Sequence, residues 1–501
     1  MTGPTTADAI VIGSGFGGAM AAQRFIDAGR SVLMLERGPW VPRGPENWTP
    51  SQIGPHSEYC SPNAPFREAE RGAAERIRTY FCVGGPSVFY GGVSLRFRAE
   101  DFAPAPDLVA DSGAAWPFEL VDLEPYYDEA ERLLDVSSGP LAETSSRLDA
   151  AARSLGLSPV RLPLAIRRRA IGTKPGCVDC PTCDAFACAI GAKNDLATVI
   201  LPQLIERGLQ LRPGTVVTRL VERGGRIRTV ETIGPDGERQ EFEGDQVILA
   251  AGALGSPHLL LASGLERISP AAQAVGRYLT RHINSAVVGL FPRRQNQARR
   301  FVKQLGFFDH YRSEDGAKLG SIQQLAIPPA DYLRAEAPWP LGVLAEVVVD
   351  RLLGLLTMAE DQPRAASGLT LDPGSVDRFG MPIAVVRHVY TTRDRRGDYA
   401  LRQVARRILK AAGAVVSYAH PVQTFSHALG TLRMGTDPRT APVDPDGRFR
   451  GLENLWITDG SARPRSGGVN PSLTIAAMGL RAADRALGQG NAALEVSHAT
   501  G

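Results

Sequence analysis

The chain has 501 residues, too many for one ordinary core, and at least two domains are expected. Its 56 basic and 53 acidic residues nearly cancel, which excludes the strong field of a nucleic-acid or membrane-surface binder. With 53 Gly and 37 Pro the composition suits a loop-rich α/β enzyme.

The first eight residues carry neither a basic stretch nor an apolar one, so no signal peptide is expected and a soluble cytoplasmic protein is. An apolar run, Ala9 to Ile12, predicts a strand. It leads into Gly13, Gly15 and Gly18 in G-x-G-x-x-G spacing, with Phe16 and Gly17 between them. A helix is predicted over Ala19 to Ala28, stopping at Gly29, then a second strand, Ser31 to Leu35, ending at Glu36 and Arg37. Strand, Gly-rich turn, helix, strand and acid form a dinucleotide fingerprint. Gly13 permits the tight turn, Gly15 lets backbone approach a pyrophosphate, and Gly18 lets helix and strand pack closely. The pyrophosphate then meets the free N–H groups of the helix. Glu36, 18 residues past Gly18, stands where an acid accepts ribose hydroxyls.

Residues 38 to 76 read as loop. In Arg78 to Arg98, the pairs Gly84, Gly85 and Gly91, Gly92 let backbone run against something flat or anionic. Helices are predicted over Asp122 to Leu134 and Leu196 to Arg207. Strands follow at Leu209–Leu211 and Val216–Val221, then a hairpin from Arg226 to Phe242. Gln246 to Gly252 reads as a buried strand ending in small residues, with Ser256 capping the next helix and Pro257 in its first turn. Residues 286 to 424 mix aromatic, charged and apolar runs, as a substrate-binding domain would. Within them Leu341 to Met358, broken by Glu346, Asp350 and Arg351, reads as a packed helix rather than a membrane span. The last region holds a strand, Asn454 to Thr458, and a closing helix, Thr474 to Leu487.

Four segments in order resemble the glucose-methanol-choline (GMC) oxidoreductases, FAD enzymes that oxidise alcohols: Gly13–Gly18 with Glu36, Val83–Arg98, Gly252–Gly264 and Ser426–Gly479. The resemblance implies an α/β fold. A Rossmann-like FAD-binding domain would be assembled from 7–100, 190–285 and 425–490. A discontinuous α+β substrate-binding domain on an antiparallel sheet would come from 101–189 and 286–424. It makes the dinucleotide FAD, and it implies cofactor contacts from Tyr90, Ala251, Gly252, Asp459, Gly460, Asn470, Pro471 and Thr474, with Gly84, Gly85, Gly91 and Gly92 running past the isoalloxazine. Val217 is the expected backbone contact to adenine. Where some relatives tether FAD through Thr-His-Trp, this chain has Val88, Phe89 and Tyr90, so non-covalent FAD is expected.

Oxidising an alcohol removes a hydroxyl proton and a hydride from one carbon. The flavin takes the hydride, and the protein must supply a base within hydrogen-bond reach. His427 matches the family's catalytic histidine and Asn470 its partner. An amide can orient a hydroxyl but cannot be a base, so proton removal falls to His427. His282 and His420 read as structural or rim residues.

Cys177, Cys180, Cys183 and Cys188 place four of six cysteines in twelve residues. Three readings stand: structural thiols or local disulfides, which the family context favours as a clamp; an iron–sulfur cluster; and a zinc site. Val83–Arg98, the Cys-rich segment ending at Lys193, and Gly306–Tyr311 are similar to segments of aminoglycoside 6′-dehydrogenases. That implies a primary alcohol of a paromamine-like aminosugar in antibiotic biosynthesis, with Asp309, Glu346, Asp350, Glu360 and Asp361 as candidate carboxylates at the mouth. Another glycoside, or a sterol-like alcohol against Leu341–Leu356, is the alternative substrate. A flavin electron-transfer protein with the cysteines as relay is the alternative of another class. Partners are thus a small alcohol and an electron acceptor, oxygen or another, with no nucleic acid and no membrane span.

Overall fold

The computed structural model describes residues 5–49, 57–61, 64–69, 77–109, 112–297, 299–336, 344–422 and 424–489. Two sheets organise them. The first runs Gln210–Arg212, Val32–Leu35, Thr5–Ile12, Arg239–Leu249, Arg226–Ile233, Val216–Arg223, with Leu455–Ile457 also on Arg239–Leu249. Its first four strands are parallel, as is Leu455–Ile457. The long Arg239–Leu249 strand forks. Its first residues pair antiparallel with the Arg226–Ile233 hairpin strand, and its last three pair with Leu455–Ile457.

The central strand shows why this part of the sequence is so legible. Ala9, Ile10 and Val11 are fully buried, as a parallel strand covered on both faces must be. The Phe16–Asp27 helix covers one face and packs against the closing helix, Ser472–Ala486. Both helices begin close to their expected starts. The expected Leu196–Arg207 helix is instead two short pieces, Leu196–Val199 and Leu201–Glu206, with Pro202 opening the second. Pro lacks the N–H that a continuous helix would need there. The helix after Ala251 starts at Gly252, so Ser256 lies inside it rather than capping it.

The second sheet is antiparallel throughout: Val416–Val422, Ile283–Leu290, Leu352–Ala359, Gly320–Leu325, Leu305–Phe307, Val160–Arg161. The Thr392–Ala411 helix covers it, putting Leu401, Val404, Ile408 and Leu409 against Val287, Leu353 and Leu355. Thr391 and Asp394 cap that helix reciprocally.

The expected helix over Leu341–Met358 is corrected here. Residues 341–343 lie outside the described residues. The charged residues that gave the stretch a helical look belong to short turns at Ala345–Val348 and Val349–Arg351. Leu352–Ala359 is an interior strand, bonded on both sides and largely buried on both faces. An apolar run of that length looks the same in sequence whether it is helix or strand. Among the described residues no helix is long and apolar enough to cross a membrane.

Candidate active site

The Gly-rich turn is built as its spacing predicts. A Cβ on Gly17 would lie 2.1 Å from the Thr458 carbonyl oxygen, and one on Gly18 2.0 Å from that of Gly13. These two glycines are packing requirements. A Cβ on Gly15 or on Gly252 would meet nothing within 4 Å. Gly15 is also the first residue before the helix, has no side-chain cap, and is followed by no acid in the first turn. Uncapped N–H groups facing open space, at the ends of adjacent parallel strands, fit a dinucleotide pyrophosphate. The residues present therefore suit the cofactor that the fingerprint implies.

Glu36 is buried and braces the turn. It accepts from Ser14 N (3.0 Å), Ser14 Oγ (2.6 Å) and Gly38 N (2.8 Å). Burial raises its carboxyl above the usual range, against the pull of those three bonds. A carboxylate offers about four acceptor sites, so one remains for a ribose hydroxyl. Arg37 turns to Asp377 (3.5 Å) and lies over Phe81 and Phe379. Gly84 N donates to Ser14 Oγ (2.9 Å), and Gly85 rests against Gly15. Phe16 and Tyr90 have ring centroids 5.7 Å apart, which fastens the Val83–Arg98 segment to the turn. Gly91 faces Lys303 and Asp184, and Gly92 faces Ile166. Val217 lies on the outer Val216–Arg223 strand, opposite Thr232. Ala251 is exposed and Gly252 half-buried at the end of the Arg239–Leu249 strand.

Asp459 ties the two ends of this surface together. Its carboxylate accepts from Gly252 N (2.9 Å), Ser461 N (2.8 Å) and the hydroxyls of Ser256 and Ser461. Gly460 packs under Leu429, and Pro471 precedes the closing helix. Thr474 is buried, its hydroxyl 2.8 Å from that of Tyr127.

His427 is half-buried on the loop after the Val416–Val422 strand. Its Nδ1 lies 3.1 Å from Nδ1 of His282, with the rings nearly perpendicular at 88°. Its Nε2 has no partner among the described residues. Burial, then the nearby His282, Lys303 and Arg463, hold its imidazole well below the ordinary 6.5. Asn470 accepts from Gln323 Nε2 at 2.8 Å, which leaves its own amide N–H groups to donate. Of the two readings for His282, structural or rim, the structure places it in the interior, where it touches His427. His420 is exposed on the Val416–Val422 edge strand, as expected.

The loop carrying Asn470 is pinned by groups on and beside the second sheet that the sequence did not mark for this role. Gly467 N donates to Glu360 (2.9 Å), Gly468 N to Tyr311 Oη (3.1 Å), Ser466 Oγ to Asp361 (2.8 Å), and Ser321 Oγ to the Gly468 carbonyl (2.6 Å). A Cβ on Gly467 would strike the Phe97 ring, and one on Gly468 the Tyr311 ring. Beneath the loop lies a buried ionic cluster. Lys318 sits 2.5 Å from Asp101 and 3.8 Å from Glu360, and Arg465 3.8 Å from Glu360. Arg463, fully buried over Phe97, donates to the Ser466 carbonyl (3.1 Å) and is pushed down to about 10 by burial. Burial works to raise the Asp361 carboxyl, but the His388 hydrogen bond and charge, with His282 and the Arg281 N–H, hold it at about 2.

One expectation changes with this geometry. Each of the five acidic residues has a partner or is buried. Asp309 accepts from Ser158 N, Glu346 and Asp350 pair with Arg299, and Glu360 and Asp361 are buried under the loop. The Cys-rich segment is held at its end by one lysine. Lys193, almost wholly buried, donates to the carbonyls of Tyr90 (2.9 Å), Cys183 (3.0 Å) and Phe186 (2.6 Å). Cys177, Cys180, Cys183 and Cys188 are free thiols. Burial pushes Cys177 up to about 11 and raises Cys183 further. Among the described residues no group of three or more His, Cys, Asp and Glu is placed to hold a metal ion. Cys60 and Cys82 are free and buried.

Comparison with known proteins adds to this. Residues 8–284 and 363–479 match the two halves of the family described as GMC oxidoreductase. A paromamine 6′-oxidase of Streptomyces fradiae is 30% identical, over 96% of this chain and 91% of its own length. A 6‴-hydroxyparomomycin C oxidase of Streptomyces lividus is also 30% identical, over 99% and 94%. The crystal structure of a pyridoxine 4-oxidase from Mesorbium loti superposes with a TM-score of 0.67 at 19% identity, covering 95% of this chain and 98% of that one, which is a likeness of fold.

Proposed function

The chain belongs to the GMC oxidoreductase family of flavin enzymes acting on CH–OH groups, and we propose that within it His427 is the base and an aminosugar hydroxyl the substrate. The observation that carries the base is the geometry of His427: a half-buried imidazole with Nδ1 committed to His282 and Nε2 without a partner among the described residues, its value held below the ordinary range first by burial. FAD, when bound, supplies the hydride acceptor. The chain does the rest. The Gly15 turn, Glu36 and Gly252 would hold the cofactor. His427 Nε2 takes the hydroxyl proton, and the Asn470 amide donates to the same oxygen and orients the carbinol C–H. The family's electron acceptor then returns the enzyme to its starting state.

The substrate reading is a primary hydroxyl on the aminosugar of a paromamine-like aminoglycoside. Its support is the similarity, along almost the whole chain, to two enzymes named for such substrates. Of the apolar stretch that suggested a sterol, Leu352–Leu356 is interior strand rather than helix. Non-covalent FAD belongs to the same proposal, because Phe89 carries no nucleophile. It is buried and stacks on Tyr80 with centroids 4.6 Å apart. Acid precipitation should therefore release all the yellow colour into the supernatant. Anaerobic flavin bleaching against paromamine-type aminosugars, simple glycosides and sterols tests the substrate. Bleaching by aminosugars first is the expected result, and bleaching by sterols alone would overturn it.

A further inference from the structure

His282 is tied on every side, and its ties have a direction. Its Nε2 lies 2.8 Å from the Gly467 carbonyl oxygen and 3.2 Å from that of Ser466. Both are acceptors only, so Nε2 must carry the hydrogen. In a neutral imidazole the other nitrogen is then bare. That bare Nδ1 faces Nδ1 of His427 at 3.1 Å. Two bare nitrogens gain nothing at that distance, so His427 must carry its hydrogen on Nδ1 and donate it. The consequence falls on the far side of the His427 ring: Nε2 is the bare nitrogen.

The backbone shows that this arrangement is imposed. His282 sits at φ 60°, a conformation uncommon for any residue with a side chain, though His adopts it more readily than most, and one that its surroundings must hold. Here they do. Asp361 accepts from the backbone N–H groups of Arg281 (2.9 Å) and His282 (3.0 Å), and Tyr390 donates to the His282 carbonyl (2.6 Å). The same Asp361 takes the Ser466 hydroxyl, which places the two carbonyls that His282 reads.

We infer that His282 is a positioning residue that fixes the tautomer of His427, so that Nε2, and not Nδ1, is the nitrogen open to the substrate hydroxyl. The inference rests on His427 being the base. Burial, which lowers both imidazoles, agrees with the neutral forms that the geometry needs.

The test uses holoenzyme labelled with 15N-histidine, the His427 signals being identified by their loss in His427→Gln. The wild-type spectrum should show a protonated Nδ1 and a bare Nε2 on His427. His282→Leu removes the acceptor. It should shift that spectrum toward a mixture and slow anaerobic flavin reduction at saturating substrate roughly tenfold, the worth of one net hydrogen bond, with KM little changed. His282→Asn tolerates the left-handed backbone and returns an acceptor and a donor, so it should restore both readouts. A wild-type His427 protonated on Nε2 would overturn the inference, whatever the variants do. So would a His282→Leu enzyme with wild-type spectrum and rate. Rapid flavin reduction by His427→Gln would instead sink the base assignment, and the tautomer reading could still be checked in the wild-type spectrum.

Discussion

Gly15 and Gly17 stand two residues apart in one turn and meet opposite surroundings: open space at Gly15, and the Thr458 carbonyl oxygen 2.1 Å from any added Cβ at Gly17. The pair separates cofactor binding from folding. Gly15→Val should leave the thermal midpoint of the cofactor-free protein close to wild type while weakening FAD retention. Gly17→Ala must push strand from helix and should cost about 1–3 kcal/mol or more, the usual range for overpacking. Flavin content per chain, set beside apoprotein melting curves, checks both. Full FAD occupancy in Gly15→Val would show that the open space is not where the cofactor lies.

His427→Ala should slow flavin reduction by at least about 10²-fold, a general-base magnitude, with FAD still bound. Stopped-flow bleaching under anaerobic conditions measures it. A variant that bleaches as fast as wild type would remove His427 from the chemistry.

The acid side follows from the lowered histidines. His258, His282 and His427 are all held below the ordinary 6.5, burial being the first cause in each. A base with a depressed value stays competent on acidification, so the acid limb of the flavin-reduction rate should lie below pH 6.5. Stability has the same sign. The unfolded chain takes up these protons first, so the contribution is complete above about 6.5 and is lost progressively as pH falls below it. Melting temperatures from pH 8 to 5 should be flat at first and then decline. A midpoint that rises on acidification through pH 6 would contradict the neutral, buried state.

Lys318→Met should destabilise the protein by about 3–5 kcal/mol, because it strands Asp101 and Glu360 in the interior. Denaturant midpoints of the variant and the wild type decide it. Equal midpoints would mean that the cluster is not closed to water.

Much of this was legible in the chain, for identifiable reasons. The Gly13–Gly18 turn, its strands and Glu36 are local: each role needs only its neighbours in sequence, and period and spacing carry that information. His427 and Asn470 were legible through family motifs. Their supports were not. His282, Gln323 and Asp361 sit far from both in sequence and carry no pattern of their own, and only the docking of one sheet against the loop of the other brings them together. Two of the five carboxylates proposed for the mouth, Glu360 and Asp361, are buried instead, for a related reason. An Asp or Glu in sequence looks the same whether it faces solvent or, like Glu360, lies wholly buried beside Lys318 and Arg465. The Leu352–Ala359 strand was misread because length and apolarity alone do not separate a strand from a helix.

The loop from Arg463 to Asn470 belongs to one domain by chain order, yet its hydrogen bonds run to Glu360, Asp361, Tyr311, Ser321 and Gln323 in the other. This limits how the enzyme can be re-engineered. A new substrate domain grafted from a relative could bring any pocket it liked. It would give a working enzyme only if it also brought this set of contacts, including the histidine that faces His427. Specificity and competence are therefore inherited together in this scaffold, and libraries that vary the pocket should hold those positions fixed.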